Sequence, residues 1–394
     1  VDVTSAPHLV TFTNLYPSAA RPTHGIFVAE RVRRLRAALG ASHEVICPIP
    51  GLPRFWPRRP ADRVFDSLPE REASGGATLR HVRYRHWPGL SERAQAERMF
   101  RACREVVASA VHGQAAVIDA HYVYPDGVAA LRLAAELGVP CFVTARGSDL
   151  NVLAQRPAIA RQIRAWAGSA AGLFAVSEPL RRLFVEIAGV SDDAVELARN
   201  GVDFEIFRPG DEDEARDALG LPRGVPLVAG VGRLVPGKGF HTMARALRLL
   251  PEEVHFAVAG AGPEAERLRA VAPEGRLHLL GARSREEVAA LLRGADVLVL
   301  PSEREGWPNV VTEALASGTP VVASPVGGIP DILTAPHVGA LVRVGDHRAL
   351  AREVERFLRA PSNPDAVCAF AQRFGWEAPI EFLRTRFAAA GLIC

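Results

Sequence analysis

The hydrophobic positions of this chain come mostly in short unbroken runs and seldom in strict alternation. Residues 9–13, 116–120, 141–144, 172–176, 227–232, 254–259, 277–280, 297–300 and 320–324 each read as a strand. Runs without polar alternation suit strands covered by helices on both faces. Between them the spacing turns helical. Val28, Val32, Leu35 and Leu39 fall at i, i+4, i+7 and i+11, with Arg31, Arg33, Arg34 and Arg36 among them and Gly40 as a stop. Strands alternating with such helices predict an α/β fold of doubly wound parallel sheets.

The 394 residues suffice for two domains of ordinary size. Residues 51–89 are rich in Pro, Arg and Gly and read as a long excursion from the first sheet. Residues 200–213 (NGVDFEIFRPGDED) carry turn residues and then a charge cluster, after which the most regular βα series begins. That places a boundary near 209, with a first domain over 1–208 and a second over 209–375. No repeat at a fixed period is evident, which argues against a solenoid. Val1 to Thr13 lack a basic start followed by an apolar core, so they are not expected to form a secretory leader. The longest charge-free runs, such as 317–330, are broken by Gly and Pro before they could span a bilayer.

Composition adds three points. Hydrophobic residues are 48% and charged residues 23%, which excludes disordered and fibrous classes. The five cysteines, Cys47, Cys103, Cys141, Cys368 and Cys394, are scattered and form no Cys-x-x-Cys pair, as expected of reduced thiols in a cytoplasmic protein with no zinc site. The net charge of +3 hides an asymmetry: residues 1–104 hold 17 Arg against 9 acidic residues, whereas 210–394 are nearly balanced. A basic end suggests an anionic partner such as a lipid surface or a phosphorylated substrate, unless it reflects coding bias. Regularly interleaved aromatics are missing from it, so nucleic acid is not expected as a partner. The bias makes one residue conspicuous. The only Lys in the chain is Lys238, a position that needs a compact ammonium and not a planar fork.

Lys238 lies in LVAGVGRLVPGKG (227–239), a buried strand running into a Gly-rich turn with a helical pattern after it. Such a turn lets main-chain N–H groups approach a phosphate at the helix start. A dinucleotide-binding G-x-G-x-x-G would need glycine where Val235 stands. A P-loop G-x-x-x-x-G-K-[ST] fits from Gly232 to Lys238 but has Gly239 at the metal-binding hydroxyl position. Arg233 and Lys238 then remain as charge-assisted donors for an anion; the alternative is a tight turn with incidental cations. Further on, PSEREGWPNVVTEALASGTP (301–320) predicts a helix over 308–317, starting at Pro308 and stopped by Gly318. Glu305 falls in the loop before it and Glu313 on it. The two carboxylates can accept hydrogen bonds from sugar and ribose hydroxyls; otherwise they are a helix-start charge and a solvated face residue. Asp211-x-Asp213 could hold a metal, but its linker-like setting reads as solvated charge.

These segments, with GAGPEAERL (260–268) and NGVDFEIFRP, resemble the retaining nucleotide-sugar glycosyltransferases of family 4, which have the GT-B fold. The similarity runs from about His8 to Trp376, and Glu305 and Glu313 fall on that family's E-x7-E motif. The resemblance implies two Rossmann-like domains facing across a cleft, with 376–394 as a helix returning to the first, and no metal or other cofactor. It implies that Arg233 and Lys238 hold the donor diphosphate, that Glu313 binds the ribose, and that Glu305 meets the donor sugar. Gly306, Trp307, Pro308, Asn309 and Val310 would supply main chain to the donor, with Gly281 and Arg283 beside the base. In the first half, TNLYPSAARPTHGIFV would bring Gly25 to the diphosphate, and DAHYVYPDG would place His121 near the transferred sugar. TARGSDLN has Arg146 where many relatives carry His, which leaves Arg146, Ser148 and Asp149 as weaker acceptor-site candidates. The expected partners are a UDP- or GDP-linked sugar, a glycan or lipid-linked acceptor, and an anionic membrane surface. The expected setting is bacterial exopolysaccharide or teichuronic-type synthesis in the cytoplasm, at the inner face of the plasma membrane. Two rivals remain: a nucleotide-sugar epimerase of the same fold, and a non-catalytic subunit that binds a glycan or membrane.

Overall fold

A computed structural model describes residues 7–53, 60–74, 76–87 and 92–392. The chain divides into two compact units, 1–200 with 377–394, and 201–376. The first boundary lies eight residues before the expected 208/209. The reason is local: the Val202 N–H donates to the Phe374 carbonyl at 2.8 Å, and Phe207 lies under the Arg285 guanidinium. The turn-rich segment 201–208 thus belongs to the second unit.

Among the described residues the first unit holds eight strands: β1 (His8–Phe12), β2 (Ser42–Gly51), β3 (Arg71–Ser74), β4 (Ala77–Arg85), β5 (Ala116–His121), β6 (Cys141–Ala145), β7 (Gly172–Ala175) and β8 (Val195–Leu197). Their order is β3-β4-β2-β1-β5-β6-β7-β8, parallel except for the β3–β4 pair. The stretch expected to be an excursion is therefore in part sheet, and its residues 54–59, 75 and 88–91 lie outside the described residues. β2 was hidden by Pro48 and Pro50. Its pairing with β1 ends at Ile46, so both prolines lie where that side of the strand has no ladder to interrupt. β4 was hidden by Arg80, Arg83 and Arg85, which interrupt its apolar run, while Ala77, Leu79, His81 and Tyr84 are buried.

Helix Ile26–Leu39 forms as its spacing predicts, closed by Gly40 at φ 61°. It packs against helix Glu377–Ala389, whose Phe387 stacks on Phe142 at 4.1 Å. The last helix is part of the first unit.

The second unit holds β9 (Leu227–Val231), β10 (His255–Ala259), β11 (Leu277–Gly281), β12 (Val297–Leu300), β13 (Val321–Ala323) and β14 (Gly339–Leu341), all parallel in the order β11-β10-β9-β12-β13-β14. Its core is aliphatic with Phe240, Phe256 and Phe357. Strand order reverses between β9 and β12 here, and between β1 and β5 in the first unit. Such a reversal opens a crevice at the C-terminal strand ends, where doubly wound sheets bind ligands. No helix among the described residues is long and apolar enough to cross a membrane.

Candidate active site

In the second unit four loops interlock at the C-terminal ends of β9, β10, β12 and β13. The Leu234 N–H donates to the Ala261 carbonyl and the Glu303 N–H to that of Gly237, at 2.9 and 3.0 Å. Glycine makes these approaches possible. A Cβ on Gly239, which sits at φ 66°, would overlap the Pro301 carbonyl oxygen, and one on Gly327 would overlap that of Glu305.

The result brings Lys238, after β9, onto Glu305, after β12, across the reversal point. Lys238 Nζ donates to Glu305 Oε1 at 2.6 Å, and Ser302 Oγ donates to the same oxygen at 2.7 Å. Glu305 Oε2 is left for another donor. Two of the three Lys238 N–H bonds are left as well. Arg233, on the same loop, is exposed and makes no ion pair among the described residues.

The helix expected over 308–317 spans Asn309–Ala316, with Pro308 just outside as its N-cap and Val310 in its first turn. Trp307 is 7% exposed and packs edge-on against Phe374 at 6.1 Å, so its indole is core while Gly306 accepts from the Gly328 N–H at 2.9 Å. Glu313 is partly buried on the helix. Desolvation pushes its carboxyl up to about 7, against the pull of the Arg285 guanidinium. Gly281 ends β11 at φ 74° and Arg283 pairs with Glu287 at 2.8 Å. Asp211, considered for metal, caps helix Glu212–Asp217 by accepting the Glu214 N–H at 2.8 Å.

In the first unit the reversal point lies between the loops after β1 and β5. Gly25 sits at φ 70° as the N-cap of helix Ile26–Leu39, pressed against the Leu15 carbonyl. Asp126 ties the two loops together, accepting from the Asn14 main chain at 2.6 Å and from its Nδ2 at 2.9 Å. Burial pushes the Asp126 carboxyl up to about 8, against these donors.

His121 ends β5 with no exposed surface. Its Nδ1 accepts from Arg146 at 2.8 Å and its Nε2 lies 3.2 Å from Asp119. Burial pushes the imidazole down to about 4, so it is neutral at pH 7, with its proton on Nε2 toward the carboxylate. The next residue, Tyr122, is held at φ 83°, the one non-glycine residue at positive φ among the described residues, and its hydroxyl bonds that of Ser148. Asp149 accepts the main-chain N–H of Val123 at 2.8 Å and of Gly147 at 2.7 Å.

The structure thus joins Lys238 with Glu305, and His121 with Arg146 and Asp149. It adds Ser302, Asp126, Asp119 and Arg31, which the motif reading passed over. Two left a signal: Asp119 interrupts the apolar run AVIDAH, and Arg31 stands at i+3 from Val28, on the face that the apolar spacing turns inward.

A cationic Gly-rich loop set against a carboxylate before a helix, at the switch point of a doubly wound sheet, suits a ligand that carries both an anionic group and hydroxyls. The comparisons agree: residues 211–373 match the family Glycosyl transferases group 1 and residues 25–206 match Glycosyltransferase Family 4. The chain belongs to these glycosyltransferases. Among curated relatives, it is 30% identical to TuaC of Bacillus subtilis, assigned as a glycosyltransferase of teichuronic acid biosynthesis, over 89% of this chain and 88% of that protein. It is 35% identical over 50% of its length to D-inositol 3-phosphate glycosyltransferase of Mycolicibacterium gilvum, 47% of which is covered. Sucrose-phosphate synthase of Thermosynechococcus elongatus superposes on 98% of the chain with all of its own length covered, at TM-score 0.80 and 22% identity. Anabaena HepE in complex with UDP and glucose does so on 98%, again over its whole length, at TM-score 0.74 and 17% identity. These two establish the GT-B fold.

Proposed function

We propose that this enzyme moves a sugar from a UDP- or GDP-linked donor to a hydroxyl of a cell-surface glycan or its lipid-linked precursor. Transfer proceeds with retained anomeric configuration and without a metal. The observation that carries the reading is the Lys238–Glu305 pair across the reversal point of the second sheet, at 2.6 Å. Likeness to TuaC supports the glycan setting.

In this reading the energetic task is the departing diphosphate. Lys238 and Arg233 supply fixed positive charge where negative charge grows, and the first-turn N–H groups of helix Asn309–Ala316 add to it. Glu305, held through one oxygen by Lys238 and Ser302, offers the other to a hydroxyl of the donor sugar. Glu313 accepts from the ribose diol. The acceptor hydroxyl approaches the face that the leaving phosphate vacates and gives its proton to a phosphate oxygen. His121, whose Nδ1 accepts from Arg146 and whose Nε2 faces the Asp119 carboxylate, holds the end of β5 in place.

Single-turnover rates with saturating donor test this. Lys238→Ala lowers kcat about 10²–10³-fold, the loss seen when one preorganised donor is removed. Donor affinity falls less, by about 1.5–3 kcal/mol for one charged hydrogen bond. A Lys238→Ala rate within about threefold of the wild type would reduce the loop to a tight turn.

A further inference from the structure

Three arginines among the described residues are buried, and they are not satisfied alike. Arg216 donates to the carbonyls of Gly294, Val225 and Pro222 at 2.7, 2.6 and 3.3 Å and meets the Asp296 carboxylate at 3.3 Å. Arg31 has no hydrogen bond, and its nearest carboxylate, Asp119, is 3.9 Å away. Arg146 donates only to neutral acceptors: NH1 to Asn200 Oδ1 and NH2 to His121 Nδ1, both at 2.8 Å. Its Nε has no partner. A guanidinium carries five N–H bonds, so three remain unspent.

The neighbouring carboxylates do not supply what is missing. Asp119 is placed between Arg31 and the His121 ring. Asp149 commits its oxygens to the main-chain N–H groups of Val123, Arg146 and Gly147. A buried cation is costly unless paired, and Arg31 nearby adds repulsion. Position decides which member of the cluster meets a ligand. Arg146 keeps 9% of its surface exposed, whereas Arg31, Asp119, His121 and Asp149 keep none. It follows the C-terminal end of β6, with the exposed Ser148 two residues on.

We propose that Arg146 is an anion-binding residue of the first unit: held in plane by Asn200 and His121, it takes a carboxylate or phosphate oxygen of a bound substrate. This rests on the reading of the chain as a sugar transferase. The anion is a charged group of the acceptor.

Equilibrium binding needs no turnover, so its outcome is independent of whether transfer is observed. The probes are UDP, GDP, glucuronate, glucose 1-phosphate and neutral glucose, titrated calorimetrically. Arg146→Met should weaken the responding anion about 10- to 100-fold, as for a lost charged hydrogen bond, and leave glucose unchanged. Loss confined to the sugar anions assigns the site to the acceptor; loss with UDP or GDP alone overturns that assignment. Asn200→Asp puts a carboxylate within reach of NH1. It should raise the melting temperature and weaken the same anion by a similar factor, a combination that a merely structural role would not give. The proposal is overturned if no anion binds in an Arg146-dependent way, or if Asn200→Asp binds as the wild type does.

Discussion

Glu313 shows how one side chain couples site and stability. An ordinary Glu releases its proton near pH 4.5, but burial on helix Asn309–Ala316 raises this one to about 7. Between those values the unfolded chain has already lost a proton that the folded chain keeps, so the Glu313 contribution to stability falls as pH rises and levels off above about pH 7. The free enzyme thus carries a strained carboxylate at pH 8, which a ribose diol would relieve. Glu313→Gln removes the titration. Its melting temperature relative to the wild type should therefore climb from pH 5 to pH 8 in parallel thermal scans, and a constant offset would mean that Glu313 titrates like an exposed carboxyl.

At the scale of elements, the loops after β9 and β12 are held together through glycine. Gly239 and Gly275 have nearly equal φ, 66° and 75°, but Gly275 has open space where a Cβ would point, whereas Gly239 has the Pro301 carbonyl. Gly275→Ala should cost about 1–2 kcal/mol, the left-handed conformer alone. Gly239→Ala should cost more in urea denaturation, and it alone should weaken nucleotide binding, because it pushes the Glu305 loop away from Lys238. Equal costs would mean that the two loops are not wedged.

What was legible in the sequence follows the same physics. All nine strands expected from apolar runs are present within a residue or two at each end, because a strand buried on both faces leaves a continuous signal. β2, β4 and the short β8 and β14 were not legible, since prolines, interspersed arginines or three-residue length erased that signal. Glu305, Lys238 and Glu313 stood out because their chemistry lies close together in sequence or in a Gly-rich turn. Arg146 with His121 and Asn200 could not be joined in this way. Their contact spans 25 and 54 residues and exists only once β5 and β6 are paired.

For the whole molecule, each unit has its own sheet and core, and the first is completed by the chain's last helix. Phe387 and Leu383 are fully buried there, with Phe382 edge-on to Phe174 at 5.8 Å. Fully burying such side chains contributes roughly 1.5–3 kcal/mol each. Truncation after Trp376 should speed amide hydrogen exchange in β5, β6 and β7 and leave β9, β10 and β12 unchanged. Equal acceleration in both sheets would contradict the division.

In the proposed function the second unit binds a nucleoside-diphosphate sugar through Lys238 with no metal. The direct measurement is a thermal-stability panel of UDP, GDP, ADP and dTDP and their sugars, run with excess EDTA on the wild type and on Lys238→Ala. One nucleotide at about 100 times its Kd should stabilise the wild type by roughly 2.7 kcal/mol, and markedly less in the variant at the same concentration. No stabilisation by any of them, or stabilisation that EDTA abolishes and Mg²⁺ or Mn²⁺ restores, would contradict it.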